Sequence, residues 1–418
     1  MDHNSQLMIL LGMFIIVIAL PTAAILSNLA YLLPIFLIFY SAISFGYIFS
    51  KYMLGIIDYP LHYIRHRKVR YEPSVSVIIP CFNENSRDFS ECIKSVCDAD
   101  YPRKEVIIVD DGSTKKEVWE TVKAMSRKYR FRAYRLSKNM GKKSAMALGF
   151  RKACGEIVIT VDSDSLIKSG DSIRELVKPM ADKKVGAVCG CIMVENRRKN
   201  VLTKMQDARY WMAFFIEKAA ENPYNSITCA SGPFSAYRKS YLMQYLDDWE
   251  NEIFMGVRCT YGDDRELTTR MLKSGYDVKF ARDAVAFTNV PESAGTFIRQ
   301  QIRWMKSFIK ESWSISKFIT RKNIMMKLDF VIFWTVFTTG FVAKLLAISL
   351  VASGMMPLLN YILMLIFVSS VQYLYMFIRN PGTMGYYGIL YGLFNEFVLS
   401  WLFFYAFANL RDTKWGTR

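Results

Sequence analysis

The sequence predicts a cytosolic α/β domain on a mainly parallel sheet, fused to an α-helical transmembrane region with interfacial helices. Three observations predict it. Long apolar runs lie toward both ends of the chain. Short β-branched runs alternate with helical stretches in the middle. Of the 418 residues 52 % are hydrophobic and 22 % charged, too apolar for one soluble domain and too charged for a membrane bundle alone.

The first 50 residues contain no Lys or Arg. Leu7–Leu26 reads as a first span, interrupted by Pro21, without the basic flank and small-residue cleavage site of a signal peptide. Leu29–Gly55 reads as a second. The basic run Arg65-His66-Arg67-Lys68-Val69-Arg70 follows it and places the next domain on the cytosolic side. Such membrane-flanking clusters, with Arg321-Lys322, account for much of the net charge of +17. A nucleic-acid partner is not expected; a basic surface also suits anionic substrates and lipid headgroups.

The middle of the chain repeats one pattern. Val75–Pro80, Val106–Val109 and Ile157–Val161 are short apolar runs with strand character. Helical stretches separate them, which argues for βαβ units and a parallel sheet. Ligands of such sheets bind at the carboxyl ends of the strands. Polar residues stand there: Cys81-Phe82-Asn83-Glu84, Asp110-Asp111-Gly112 and Asp162-Ser163-Asp164.

Beyond residue 296 the character changes. Residues 297–319 mix Trp, Phe and Ile with Arg and Lys at helical spacing, as in interfacial helices. Phe330–Ser353 and Leu358–Phe377 read as spans. Tyr386–Leu410 carries Asn395 and Glu396 in its middle, which favours a broken or re-entrant segment over a full crossing. The domain boundaries expected are 1–66, 67–296, 297–328 and 329–418.

Eight cysteines lie between Cys81 and Cys259, with no Cys-x-x-Cys pair, and there are only three His. Zinc spacing is absent, and reduced cytosolic thiols are expected. Asp162 and Asp164 after a strand can hold a hard divalent cation together with phosphate oxygens. Asp110-Asp111-Gly112 serves either as a turn or as an acceptor for a nucleoside. Gly262-Asp263-Asp264-Arg265 is a second acidic pair. No His follows His66, so a base acting on a hydroxyl must be another residue type; a carboxylate beside an acidic neighbour fits. The same stretch also reads as a helix start. Arg303 and Trp304 suit a phosphate and a sugar face, and equally an interfacial helix.

Ile79-Pro80-Cys81-Phe82-Asn83-Glu84, Asp110-Asp111-Gly112-Ser113, Gly141-Lys142-Lys143, Asp162-Ser163-Asp164, Ser231-Gly232-Pro233, Gly262-Asp263-Asp264-Arg265 and Gln300-x-x-Arg303-Trp304, in this order, resemble the family 2 processive glycosyltransferases. That family includes cellulose, chitin and hyaluronan synthases. Trp415-Gly416-Thr417-Arg418 resembles a motif of hyaluronan and chitin synthases. Glu195–Arg198, Asp207–Tyr210 and the Gly-Asp-Asp-Arg phrase look most like streptococcal-type hyaluronan synthases. One departure stands out: Cys229-Ala230-Ser231-Gly232-Pro233 carries one residue more between Cys and Ser-Gly-Pro than that group.

The resemblance implies a GT-A-like domain in a multi-pass plasma-membrane enzyme. It would transfer GlcNAc and GlcA alternately from UDP-GlcNAc and UDP-GlcA, with inversion, onto a nascent polysaccharide that it exports through the bilayer. Asn83, Glu84 and Asp110 would hold the uridine end beside the Pro80 turn. Lys142 and Arg303 would meet the diphosphate, and Asp162 and Asp164 a Mg²⁺ or Mn²⁺ ion. Asp264 would be the general base. Gln300, Trp304, Cys229, Ser231 and Gly232 would form the acceptor pocket, and Trp415 and Arg418 a segment closing over nucleotide. Lys344, inside an expected span, would contact an anionic polymer, pair with Glu396 or snorkel to the interface. A chitin-oligosaccharide or other single-sugar β-glycan synthase is the alternative; a catalytically silent scaffold or export component ranks lower, since Asp162, Asp164, Asp264 and Arg303 are all present.

Overall fold

The computed structural model describes residues 29–66, 70–379 and 384–413. The expected span Leu7–Leu26, residues 67–69 of the basic run and the expected closing segment Trp415–Arg418 lie outside the described residues.

The sheet is built around β1 (Val75–Cys81), β2 (Lys104–Asp110), β3 (Arg132–Arg135) and β4 (Ile157–Val161), all parallel. Every residue of β1 and β4 is buried, as expected of central strands covered on both faces. Helices α2 (Ser86–Asp98), α3 (Lys116–Tyr129) and α4 (Lys142–Lys152) make the crossovers. Helix α2 starts at Asn85, whose side chain accepts from the Arg87 and Asp88 amides. It buries Phe89, Cys92, Ile93 and Val96, one helical stripe.

Beyond β4 the sheet becomes mixed. It continues through β5 (Ser165–Leu166), β6 (Val185–Val194), β7 (Phe234–Arg238) and β10 (Asp277–Thr288), in the order β3-β2-β1-β4-β7-β6-β10-β5. Strand β7 runs antiparallel between β4 and β6, with Phe234 opposite Val161. The antiparallel direction brings the residues before β7 level with those after β4, so Gly232 lies beside Asp162. A separate hairpin pairs β8 (Ile253–Phe254) with β9 (Val257–Arg258).

Helix α5 (Val201–Met212) packs on β6. Helix α6 (Asp263–Lys273) packs against the 23-residue α7 (Ala294–Ser316). The helical region comprises α1 (Leu29–His66), α8 (Ile324–Ala352), α9 (Leu358–Arg379), α10 (Met384–Phe397) and α11 (Leu402–Ala408). Among the described residues four stretches are long and apolar enough to cross a membrane: Ile35–Asp58, Ile324–Ala352, Leu358–Ile378 and Gly385–Ala408. The last is broken at Val398, where a 3₁₀ turn (Leu399–Trp401) separates α10 from α11.

Polar clasps fix this region to the sheet domain. Lys51 of α1 pairs with Asp329 of α8 at 2.7 Å, and the Tyr224 hydroxyl donates to the same carboxylate at 2.9 Å. Asn222 donates to Asp58 at 2.7 Å. Of the three destinations open to Lys344, the structure takes the ion pair: its ammonium is 2.9 Å from Glu396, which also accepts from the Tyr361 hydroxyl.

Candidate active site

One cavity of about 1060 Å³ joins most of the motif residues. Its floor is the carboxyl edge of the sheet: Pro80–Phe82 after β1, Asp111 after β2 and Asp162–Asp164 after β4. Residues 229 and 231–233, Gly262–Arg265, Gln300, Gln301, Arg303 and Trp304 line its middle. Its far part is walled by Asp329, Phe330, Phe333, Trp334 and Phe337 of α8.

A mixed-charge cluster sits at the sheet edge. The Lys142 ammonium lies 2.6 Å from Asp162 and 3.3 Å from Asp263. Burial opposes its charge, but the two carboxylates override this and raise its pKa well above the usual lysine value. Burial likewise opposes ionisation of Asp263, and Lys142 and Arg303 hold it below the usual carboxylate range. A turn delivers Lys142. The Asp111 carboxylate accepts from the amides of Met140 and Gly141 at 2.8 and 2.9 Å. Gly112 and Gly141 both have positive φ, and a Cβ on Gly112 would lie 2.4 Å from the Lys138 carbonyl carbon. Burial pushes the Asp111 carboxyl up to about 6.

Asp264 opens α6. The helix is capped by Gly262 in the left-handed region, not by a side chain, and Ser307 of α7 leaves no room there for a Cβ. The Asp264 Oδ2 accepts from the Gly232 amide at 3.0 Å, and the Cys229 thiol is 3.8 Å away. Burial, then the Asp264 charge, push that thiol up to about 12, so it stays a neutral packing partner. The Ser231 amide donates to Cys189 Sγ. A Cβ on Gly232 would approach Lys142 and Asp162 to 3.5–3.7 Å, so glycine leaves that approach open. Trp304 is 40 % exposed, with its ring 6.5 Å from Tyr210. Gln300 Oε1 is buried without a hydrogen-bond partner.

Not every motif residue faces this space. Asp110 is fully buried, bonded to the Ser113 amide and paired with Arg135 at 3.1 Å; its neighbour Asp111 forms the wall. Asn83 accepts from Thr114 and Lys115, bracing the loop after β2. Glu84 accepts from the Ser163 hydroxyl at 2.7 Å, bracing the loop after β4. Sequence reasoning missed Asp111, Gln206, Arg209 and Glu217 in the wall. The doubled Asp of Asp110-Asp111 was the signal for the first and the segment Asp207–Tyr210 for Arg209; Gln206 and Glu217 come from α5 and the turn after it, with no motif.

Asp162 and Asp164 offer hard oxygen donors at one strand end, and Thr288 donates to Asp164 at 3.4 Å. No group of three or more His, Cys, Asp or Glu is gathered for an ion among the described residues. An ion held by this pair would take its remaining ligands from a bound diphosphate or water.

Residues 76–246 match the family described as Glycosyl transferase family 2. A hyaluronan synthase from Streptococcus pyogenes serotype M1 is 30 % identical over 386 residues, 90 % of each chain. The chain belongs to glycosyl transferase family 2. Other family 2 relatives include an N-acetylglucosaminyltransferase from Azorhizobium caulinodans, 31 % identical over 83 % of this chain and 87 % of that one. One from Mesorhizobium japonicum is 38 % identical over 62 % of this chain, and the match spans 61 % of that protein's length. The family 2 fold is shared with a mannosyltransferase from Pyrobaculum calidifontis in complex with GDP-Man and Mn²⁺, with TM-score 0.53, 21 % identity, and 86 % and 99 % of the two chains covered.

Proposed function

We propose that this glycosyltransferase is a processive, inverting, membrane-embedded polysaccharide synthase, and that its polymer is hyaluronan, made alternately from UDP-GlcNAc and UDP-GlcA. The observation that carries the reading is the single cavity running from the sheet edge past Asp264 and Trp304 to the aromatic residues of α8. A transfer site that opens toward a candidate membrane span suits a product that leaves by that route.

In this reading Asp264 takes the proton of the acceptor hydroxyl, whose oxygen attacks the anomeric carbon in line. The bond to the diphosphate breaks and UDP departs. Lys142 and Arg303 meet its charge from fixed positions. Asp162 and Asp164 would hold Mg²⁺ or Mn²⁺, which supplies Lewis-acid stabilisation of the leaving diphosphate. Trp304 offers an aromatic face to the acceptor sugar. The domain boundaries expected from the sequence and the cytosolic placement of the sheet domain on a plasma membrane belong to the same proposal. So does closure over nucleotide by Trp415–Arg418: residues 410 and 413 are anchored by bonds from Tyr261 and Thr260 to their carbonyls, and Thr413 lines the cavity.

A second reading, a single-sugar chitin-type synthase, is supported by the names of the rhizobial relatives. One assay separates the two. The purified chain is given Mg²⁺ or Mn²⁺ and each UDP-sugar, singly and paired. Polymer formed only from the pair and cut by hyaluronidase supports hyaluronan. Polymer from UDP-GlcNAc alone, cut by chitinase, supports the second reading. No transfer from either sugar nucleotide sinks both.

A further inference from the structure

We infer that Lys143, Arg270, Lys310, Glu252, Glu266 and Glu311 form a positioning network that holds the helices bearing Lys142, Asp264 and Arg303 in register for transfer. The inference rests on the transfer reading of the cavity given above.

The six side chains form one connected, largely buried cluster, and Lys143 and Glu311 also border the cavity. Lys143 pairs with Glu252 at 3.0 Å and with Glu266. Lys310 pairs with Glu252 at 2.5 Å, Glu311 at 3.0 Å and Glu266 at 3.6 Å. Arg270 closes the solvent side, 2.8 Å from Glu266. The Lys310 side chain is wholly buried and that of Glu311 is 2 % exposed. Trp249 lies under the Lys143 ammonium and Tyr261 under that of Lys310. Burial opposes the charge on Lys310, yet Glu311, Glu266 and Glu252 hold it firmly ionised.

Burying an ion is unfavourable unless it is matched; three bases here face three acids, of which Glu266 is pushed up to about 8 by burial and then by Glu252. Such a cluster adds little net stability over apolar packing, but it tolerates few alternative arrangements. Its members share helices with the site. Helix α4 carries both Lys142 and Lys143. Helix α6 carries Asp263 and Asp264 together with Glu266 and Arg270. Helix α7 carries Arg303 and Trp304 and, about two turns later on the same face, Lys310 and Glu311. Three helices far apart in sequence thus share one buried reference point. Transfer requires base, acceptor and leaving group in line, and a displacement of about 1 Å can slow such a reaction roughly a hundredfold. Donor binding depends on the cavity side chains and tolerates more.

The test uses the full chain in detergent or nanodiscs. The double variant Lys143→Met with Glu266→Gln removes one base and one acid at nearly constant shape. The expected result is a fall in kcat of about tenfold or more, with KM for the UDP-sugar within roughly twofold and the melting midpoint retained. Lys310→Arg keeps the charge but not the ammonium geometry, and is expected to lower kcat several-fold at unchanged KM. A folded double variant with wild-type kcat overturns the inference, as does loss of UDP affinity in step with kcat. If the double variant does not fold, Lys310→Arg decides alone, and unchanged kcat overturns the inference. Wild-type protein that transfers no sugar defeats the transfer reading and the inference with it; active wild type with an indifferent network defeats the inference only.

Discussion

Lys142 and Lys143 are neighbours in the chain, and each stands between two carboxylates, but they differ in exposure. Lys142 faces a cleft where it meets Asp162 and Asp263, partly open to solvent. Lys143, at the cavity's edge, is nearly buried in a tight cluster with Glu252 and Glu266. The open cluster can exchange its partners for a ligand's charges. The tight one cannot change partners without breaking the packing around it. The difference teaches that the same residue type, one position apart, divides into a group available for chemistry and a group that fixes geometry.

Four substitutions sharpen or break this contrast. Asp264→Asn on the open side is expected to lower kcat for polymer formation on the order of 10²–10⁴-fold while UDP still binds. Robust polymer from this variant, measured by radiolabelled sugar incorporation, removes Asp264 as base. Lys310→Met on the buried side leaves acids without their cation, and is expected to lower stability by about 3–5 kcal/mol. A denaturation midpoint equal to wild type shows the cluster to be dispensable. Trp304→Ala is expected to weaken acceptor engagement several-fold, by roughly 0.5–1.5 kcal/mol, without altering UDP affinity; a change in UDP affinity alone argues against stacking. Asp111→Asn has the smallest effect and is read through pH. Burial raises the Asp111 carboxyl from 3.8 to about 6, so the folded chain holds that proton more tightly than the unfolded one. Its contribution to stability therefore falls as pH rises from 3.8 to about 6, and the asparagine variant lacks that slope. Melting midpoints across the window, equal in slope for both proteins, contradict this.

The strand ends were legible because β-branched runs stopping at Asp or Asn announce both the strand and its carboxyl edge. The parallel direction of β1, β2 and β4 was expected from the helices between them; their order in the sheet was not. Strand β7 was not legible: Phe234–Arg238 is short, and its antiparallel direction depends on neighbours distant in sequence. Asp264 and Trp304 in the cavity wall were legible from their motifs. The choice of Asp110 over Asp111 was not, because adjacent strand-end residues point to opposite sides and the pleat decides between them. The buried network left no trace in sequence. Lys143, Glu252, Glu266 and Lys310 look like surface charges until the fold draws them together. Lys344 had its partner in plain view, yet only the packing of α8 against α10 chooses Glu396 over a polymer.

The aromatic wall at the far end of the cavity has a second consequence. If the proposed product leaves along this cavity into a bilayer, the same route would be open to ions. Phe308, Phe333, Trp334 and Phe337 stand with ring centroids 5.4–6.4 Å apart. Rings that close touch, and touching apolar surfaces hold no water. In the proposed synthase, the surface suited to slide along a sugar ring would also resist the passage of ions.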